Sequence, residues 1–132
     1  MTLWHYTCDH SYAQIDGWLK PGEWLTVTPT PWTADLVWLT DLDYPDRDGL
    51  GLTNHLRMCD RTARRFRVLD ESGCIPWMTY RRTLSSRQRE QLESAPGALP
   101  RHWWISEAVV EVTYDPPTER AEQERRREEA SR

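Results

Sequence analysis

The most restrictive feature of the chain is the segment Leu36-Val37-Trp38-Leu39-Thr40, which is apolar at four consecutive positions. The side chains of a strand point alternately to its two faces, so a strand of this kind must be covered on both of them. A polar, turn-rich loop, residues 41–49, follows it. The segment therefore predicts a strand that is buried on both faces of a sheet.

Other segments predict further strands and short helices. Residues 3–7 alternate in the manner of a strand, with His5 on one face and Tyr6 on the other. Asp9 is a favourable N-cap for a helix over residues 10–19, and Ser85 with Gln88 forms a capping box for a helix that ends near residue 93. The remaining expected strands or extended segments are residues 24–28, 62–69, 75–78 and 103–114. Strands separated by long loops and short helices predict an α+β domain with a mostly antiparallel sheet.

Length and composition limit the class of protein. The 132 residues suit one domain, and 38% hydrophobic with 29% charged residues indicates a globular chain. There is no apolar run of the roughly 18 residues that a membrane span needs, and no signal-peptide pattern at the N-terminus. Three widely spaced cysteines favour reduced thiols. We therefore expect a cytoplasmic protein that does not enter a membrane.

The chain changes in character after residue 115. Residues 1–115 are expected to form the domain, and residues 116–132 a charged tail. The tail has no apolar stripe to bury, which predicts a solvated helix or disorder. A partner-binding tail is the alternative. The net charge of −4 gives no overall attraction to nucleic acid.

Three of the expected strands each carry a residue that is unusual at its position. His5 lies in the first strand, Trp38 in the buried strand, and Glu107 in the last one, where glutamate is disfavoured. His5-Tyr6-Thr7, Val37-Trp38-Leu39-Thr40-Asp41 and Ser106-Glu107-Ala108-Val109-Val110 resemble, in this order, the three motifs of the diphtheria-toxin and poly-ADP-ribose-polymerase branch of ADP-ribosyltransferases. The resemblance covers roughly residues 2–114. Trp38 stands where that family has a tyrosine, so the phenolic hydroxyl is missing.

The resemblance implies a small split-sheet domain that uses NAD as substrate, cleaves its nicotinamide–ribose bond and transfers ADP-ribose to a protein or nucleic-acid acceptor. Glu107 and His5 are the implied catalytic residues. The implied cofactor-binding residues are His5, Tyr6, Thr7, Trp38 and Thr40. Trp38 would stack on the nicotinamide ring, and Glu107 would stabilise the positive charge that develops as nicotinamide leaves. Because Tyr6 lies on the opposite strand face from His5, the alternation also allows a core position for it.

Four alternatives remain open at this stage. The first is a catalytically inactive nucleotide- or protein-binding module of the same fold, as in phage or bacterial conflict systems. The second is an RNA 2′-phosphotransferase-like enzyme, for which Arg65 and Arg67 could contact phosphates from one strand face. The third is a zinc site built from Cys8 and His10 with another cysteine, although their spacing matches no standard pattern. The fourth is a structural role for Glu107 on an exposed sheet edge.

Overall fold

The computed structural model describes residues 1–21, 36–44, 50 and 61–118, together with residues 123, 126–128 and 130 of the tail. The strands are β1 (Trp4–Thr7), β2 (Trp18–Leu19), β3 (Val37–Thr40), β4 (Arg64–Val68), β5 (Ile75–Pro76), β6 (Trp103–Ser106) and β7 (Val110–Tyr114). The helices are α1 (Asp9–Tyr12), α2 (Trp77–Tyr80) and α3 (Ser86–Glu93), with 3₁₀ turns at Arg81–Thr83 and Pro100–His102.

The seven strands form one sheet in the order β2-β7-β4-β1-β3-β6-β5, and every pairing is antiparallel among the described strands. The expected α+β architecture with an antiparallel sheet and short helices is therefore confirmed. The apolar segment at residues 36–40 lies inside this sheet, between β1 and β6. Its continuous hydrophobicity is explained by the two core clusters that lie on its two faces.

Alternate residues of β3 enter different cores. Val37 and Leu39 belong to a cluster with Phe66, Val68 and residues of β2 and β7 on one face of the sheet. Leu36 and Trp38 pack on the other face, in a cluster built around Trp77, Trp103 and Ile105 of α2 and β6. Since residues i and i+1 of a strand point to opposite faces, β3 separates the two cores.

The sheet cannot be flat, because a short connection joins two strands that are far apart in its order. Only residues 107–109 link β6 to β7, so Ser106 and Val110 stand at most about 15 Å apart at about 3.8 Å per residue. In a flat sheet the four strand spacings between β6 and β7 alone would require about 19 Å. The two halves of the sheet must therefore fold toward each other.

The weakest pairing in the sheet lies between β1 and β3. These strands share a single register pair, Trp4 with Thr40, whereas β1 and β4 share four. The ladder between the two halves of the sheet thus ends one residue before His5. A gap between β1 and β3 at this point agrees with the folding of the sheet that the short β6–β7 connection requires.

Three of the expected elements differ in the structure. The expected helix over residues 10–19 is wrong: α1 ends at Tyr12, and Gly17, with φ +74°, redirects the chain into β2. Asp9 is the first helical residue rather than the N-cap, and its carboxylate accepts a hydrogen bond from Arg64 Nε at 2.7 Å. The expected extended segment 75–78 is only half correct, since Trp77 begins α2 after Pro76.

The expected single strand over residues 103–114 is also wrong. It is divided into β6 and β7 by a bend at residues 107–109, so Glu107 does not lie inside a strand. The capping box is confirmed, with Ser85 and Gln88 at the start of α3. The expected strand over residues 24–28 lies outside the described residues. In the tail, residues 116–118 have no regular structure, whereas residues 123, 126–128 and 130 are helical and exposed.

No helix in the described part of the chain combines the length and the hydrophobicity that crossing a membrane would require.

Replacing Trp77 tests whether α2 anchors the core that contains Trp77, Trp103 and Ile105. Its side chain is fully buried and contacts Trp38 and Trp103 at ring-centroid distances of 5.2 and 5.9 Å. Trp77→Ala should lower the free energy of unfolding by about 3–5 kcal/mol, because it leaves a cavity the size of an indole. Trp18→Ala, at a position that is 48% exposed, is the matched control and should change it by less than about 1 kcal/mol. Equal losses in urea denaturation would contradict the packing described.

Candidate functional site

His5 lies at the end of the short ladder between β1 and β3, and its ring bridges the two strands. Its Nδ1 is 2.8 Å from the backbone carbonyl oxygen of Trp38. A carbonyl can only accept, so Nδ1 carries the proton and donates it to this bond. Burial lowers the pKa of His5 to about 4; the bond to Trp38 opposes this shift, and the charge of Arg61 adds to it.

The protonation state of His5 determines what its second nitrogen can do. At neutral pH the ring is uncharged, and its single proton is held by the bond to Trp38. Nε2 therefore presents a lone pair and acts as a hydrogen-bond acceptor. No hydrogen bond to Nε2 is made by residues 1–21, 36–44 or 61–118. A ligand hydroxyl is the type of group that this nitrogen can bind.

The backbone carbonyl of Trp38 binds His5, whereas the Trp38 side chain lies on the opposite face of the sheet from His5. The indole ring contacts Trp77 and Trp103 at centroid distances of 5.2 and 6.1 Å and is only half-buried. His5 stands opposite Phe66, which belongs to the core that contains Val37 and Leu39. A ligand that meets both His5 and the exposed part of the Trp38 ring must therefore lie along the gap between β1 and β3.

The hydroxyl groups of the expected site have mostly structural partners. The Tyr6 hydroxyl donates to the Leu42 carbonyl at 3.0 Å, and the side chain is buried. The Thr40 hydroxyl donates to the carbonyl of His102 and accepts from the backbone N–H of Leu42. Thr7 is buried on the same face as His5. Tyr6 and Thr40 thus hold the loop after β3 in place.

Glu107 is exposed at the first residue of the bend between β6 and β7. Ser106, which is buried, shapes this bend: its hydroxyl donates to the Ala108 carbonyl at 2.9 Å and accepts from the Ala108 N–H at 3.1 Å. Both bonds span two residues, so the bend is held locally and Glu107 sits at its start. The side chain is available to a ligand or a partner.

The three strands that carry the expected motifs are neighbours in the order β1-β3-β6. His5 lies one residue beyond the pair Trp4–Thr40, and Glu107 lies one residue beyond the pair Val37–Ser106. The two residues are thus two strands apart in the sheet order and are further offset along the strands. This separation suits two points of an extended ligand, because a single small group cannot touch both side chains.

An open pocket of about 410 Å³ lies beside the neighbouring strand β4. Tyr12, Phe66 and Tyr114 contribute to its lining, and the Tyr12 and Tyr114 rings are 4.7 Å apart. Phe66 is the cross-strand partner of His5, so the pocket adjoins the strand segment next to the imidazole. Tyr12, on α1, is therefore associated with this pocket.

A second polar cluster, which the sequence pattern did not indicate, ties the start of β6 to the end of β3. His102 Nδ1 lies 2.6 Å from Asp41 Oδ1, and Trp104 Nε1 donates to Asp41 Oδ2 at 3.4 Å. The pairing of Thr40 with Trp103 brings these residues together. Only the register of β3 against β6 reveals this cluster, since the residues are about 60 positions apart in the chain.

The arginines of β4 already have partners. Arg65 is buried, donates to the carbonyl oxygens of Asp43 and Asp115, and lies 3.8 Å from the centre of the Trp4 ring. Arg67 Nε donates to the Asp115 carboxylate at 3.0 Å. These contacts hold β4 against the end of β7; the Arg65 guanidinium is buried in them, whereas the Arg67 side chain stays 42% exposed.

The described residues contain no group of three or more metal-binding side chains; the His10 side chain and Cys59, which the zinc alternative would use, lie outside them. Comparison of the chain with protein-family models, with curated proteins and with solved structures finds no match.

The lowered pKa of His5 predicts a specific dependence of stability on pH. Between pH 6.5 and about 4 the unfolded chain binds a proton at His5 that the folded chain excludes, so stability falls as the pH decreases through this range. The loss attributable to His5 should reach at most about 3 kcal/mol. His5→Gln, which does not titrate, should lose correspondingly less than the wild type in urea denaturation. Parallel pH profiles for the two proteins would contradict a neutral, desolvated His5.

Proposed function

We propose that the protein is an NAD-dependent ADP-ribosyltransferase of the diphtheria-toxin and poly-ADP-ribose-polymerase type. In the proposed reaction the bond between the ribose C1 and the nicotinamide nitrogen breaks, and nicotinamide leaves as a neutral molecule with the bonding electron pair. The cationic C1 then accepts a lone pair from an acceptor nucleophile, which loses its proton. The result is ADP-ribose attached to a macromolecule.

The observation that carries the proposal is the fixed, neutral imidazole of His5 at the gap between β1 and β3. Its Nδ1 is occupied by the Trp38 carbonyl, so Nε2 can accept a hydrogen bond from a ribose hydroxyl. An imidazolium would instead repel the positively charged nicotinamide ring of NAD. The burial that lowers the pKa of His5 thus favours binding of the oxidised dinucleotide.

Glu107 supports the proposal through its position two strands away. The Glu107 carboxylate would accept a hydrogen bond from the ribose of NAD that His5 does not contact. It would also stabilise the oxocarbenium-like centre as nicotinamide leaves. The bend held by Ser106 fixes the backbone from which it extends. A preformed backbone reduces the reorganisation that the reaction would require.

Aromatic groups are available at both ends of such a ligand. The exposed part of the Trp38 ring could contact nicotinamide by stacking and by a cation–π interaction. The pocket beside β4, with Tyr12 and Tyr114, could receive the adenine ring. A dinucleotide bound through His5 would then extend from β1 toward β4 at one end and toward β3 at the other.

A binding-only module of the same fold is the second candidate, and one observation favours it. Trp38 has no hydroxyl, and its ring packs against Trp77 and Trp103. Its indole can therefore provide a surface for the nicotinamide ring but not the hydroxyl that the family's tyrosine would supply. In this case NAD, or another nucleotide, would bind at His5 without cleavage.

Glu107→Gln separates the two candidates. With NAD added to the purified protein, tryptophan fluorescence should show saturable quenching in the wild type and in Glu107→Gln, and much weaker quenching in His5→Ala. Release of nicotinamide should fall by at least about 100-fold in Glu107→Gln, because a neutral amide does not stabilise the developing cation. Glu90→Gln, at an exposed position of α3, is the matched control and should leave both readings unchanged.

The outcomes divide clearly. Saturable binding with no nicotinamide release from the wild type would favour the binding-only module. Absence of quenching at millimolar NAD would contradict the NAD-dependent enzyme and leave only a module that binds another ligand. Release of nicotinamide that persists in Glu107→Gln would remove the catalytic role of Glu107.

A further inference from the structure

One row of side chains crosses three adjacent strands at the outer part of the sheet. Trp18 of β2 stands directly opposite Glu111 of β7, and cross-strand partners point to the same face. The pair Val68–Val112 continues by one residue to place Leu69 opposite Glu111, and the Leu69 N–H donates to the Glu111 carbonyl. Trp18, Glu111 and Leu69 therefore lie side by side on one face.

This face is apolar and exposed. Trp18 and Leu69 are each 48% exposed, and Val109, on the same face of the chain two residues before Glu111, is 50% exposed. These three residues are half of the six large exposed hydrophobic side chains among the described residues. Their grouping indicates a contact surface, since single exposed hydrophobic residues are normally scattered. We call Trp18, Leu69, Val109 and Glu111 the Trp18 face.

The Trp18 face is continuous with Glu107, because Val109 belongs to the same three-residue bend. A molecule bound across it would reach the bend from which the Glu107 side chain extends. Shaped by the bonds of Ser106, this bend joins the candidate catalytic carboxylate to the exposed row. The position is therefore suitable for a partner that must approach Glu107.

The charged residues around the Trp18 face are mainly acidic. Glu111 lies at its centre and makes no ion pair with any residue in the described part of the chain. Glu107 and Asp16 are exposed close to it along the chain. Of the cations, Arg67 is paired with Asp115, and Lys20 stands beside Val109 at the far end of β2. Three exposed carboxylates thus stand against one exposed lysine around this face.

We infer that the Trp18 face docks a basic peptide segment, and that an arginine side chain binds between Trp18 and Glu111. The guanidinium group can stack on the indole while donating to the carboxylate. Apolar neighbours in the segment would cover Leu69 and Val109. The assignment of the Trp18 face as the docking site of the ADP-ribose acceptor rests on the proposed function. Binding of the peptide itself does not need NAD.

The observations favour a basic peptide over the other occupants. The phosphates of a nucleic acid would face Glu107 and Glu111, which repel them. A second copy of the chain, paired through the same face about a two-fold axis, would bring two Glu111 side chains near each other. An extended peptide can also lie parallel to β2, which pairs on one side only among the described strands.

The test measures binding without NAD, so that it is independent of nicotinamide release. A short blocked peptide with one arginine between leucines is titrated against the protein by calorimetry, beside the same peptide with citrulline in place of arginine. The arginine peptide should bind more tightly, and both Trp18→Ala and Glu111→Gln should weaken it at least about fivefold. Glu90→Gln is the control that should leave its affinity unchanged.

Four results would overturn the inference. They are absence of binding, equal affinity for the citrulline peptide, tighter binding of a single-stranded oligonucleotide, and self-association that Trp18→Ala abolishes. If the peptide binds as expected while the wild type releases no nicotinamide, the docking surface holds and the proposed function fails. If nicotinamide is released but the peptide does not bind, the proposed function holds and the docking surface fails.

Discussion

The hydrogen bond from His5 Nδ1 to the carbonyl of Trp38 joins the two halves of the sheet where their backbone ladder has ended. Because the bond spans the gap between β1 and β3, it orients the imidazole and assigns its proton. The same contact keeps the strands together while leaving Nε2 to a ligand. His5 thus provides both a structural hydrogen bond, through Nδ1, and a candidate ligand-binding atom, Nε2.

The gap follows from a constraint elsewhere in the chain. The three residues between β6 and β7 are too few to connect these strands across a flat sheet, so the sheet folds, and the short β1–β3 pairing is where it can open. The bend that imposes this geometry also carries Glu107 at one end and leads to the exposed Trp18 face at the other. Fold, candidate catalytic group and candidate docking surface share one short segment.

The sequence was informative where a pattern is local. The alternation in β1 and β4 and the capping box at Ser85 each identify one element without reference to the rest of the fold. The helix predicted over residues 10–19 is wrong because Trp18 and Leu19 form β2 after the turn at Gly17. The break at Glu107 and the Asp41–His102 cluster depend on long-range register, which periodicity does not contain. For the same reason the motifs suggest His5 and Glu107 as candidate site residues but do not contain their arrangement relative to each other in the sheet.

The most direct test of the central claim is the nitrogen NMR spectrum of the His5 imidazole, assigned by comparison with His5→Gln, at neutral pH with and without NAD. The account predicts a neutral ring with the proton on Nδ1, and a shift of the Nε2 resonance when NAD binds, because that nitrogen accepts a ribose hydroxyl. A ring protonated on Nε2, a charged imidazolium, or an Nε2 resonance that saturating NAD leaves unchanged would contradict it.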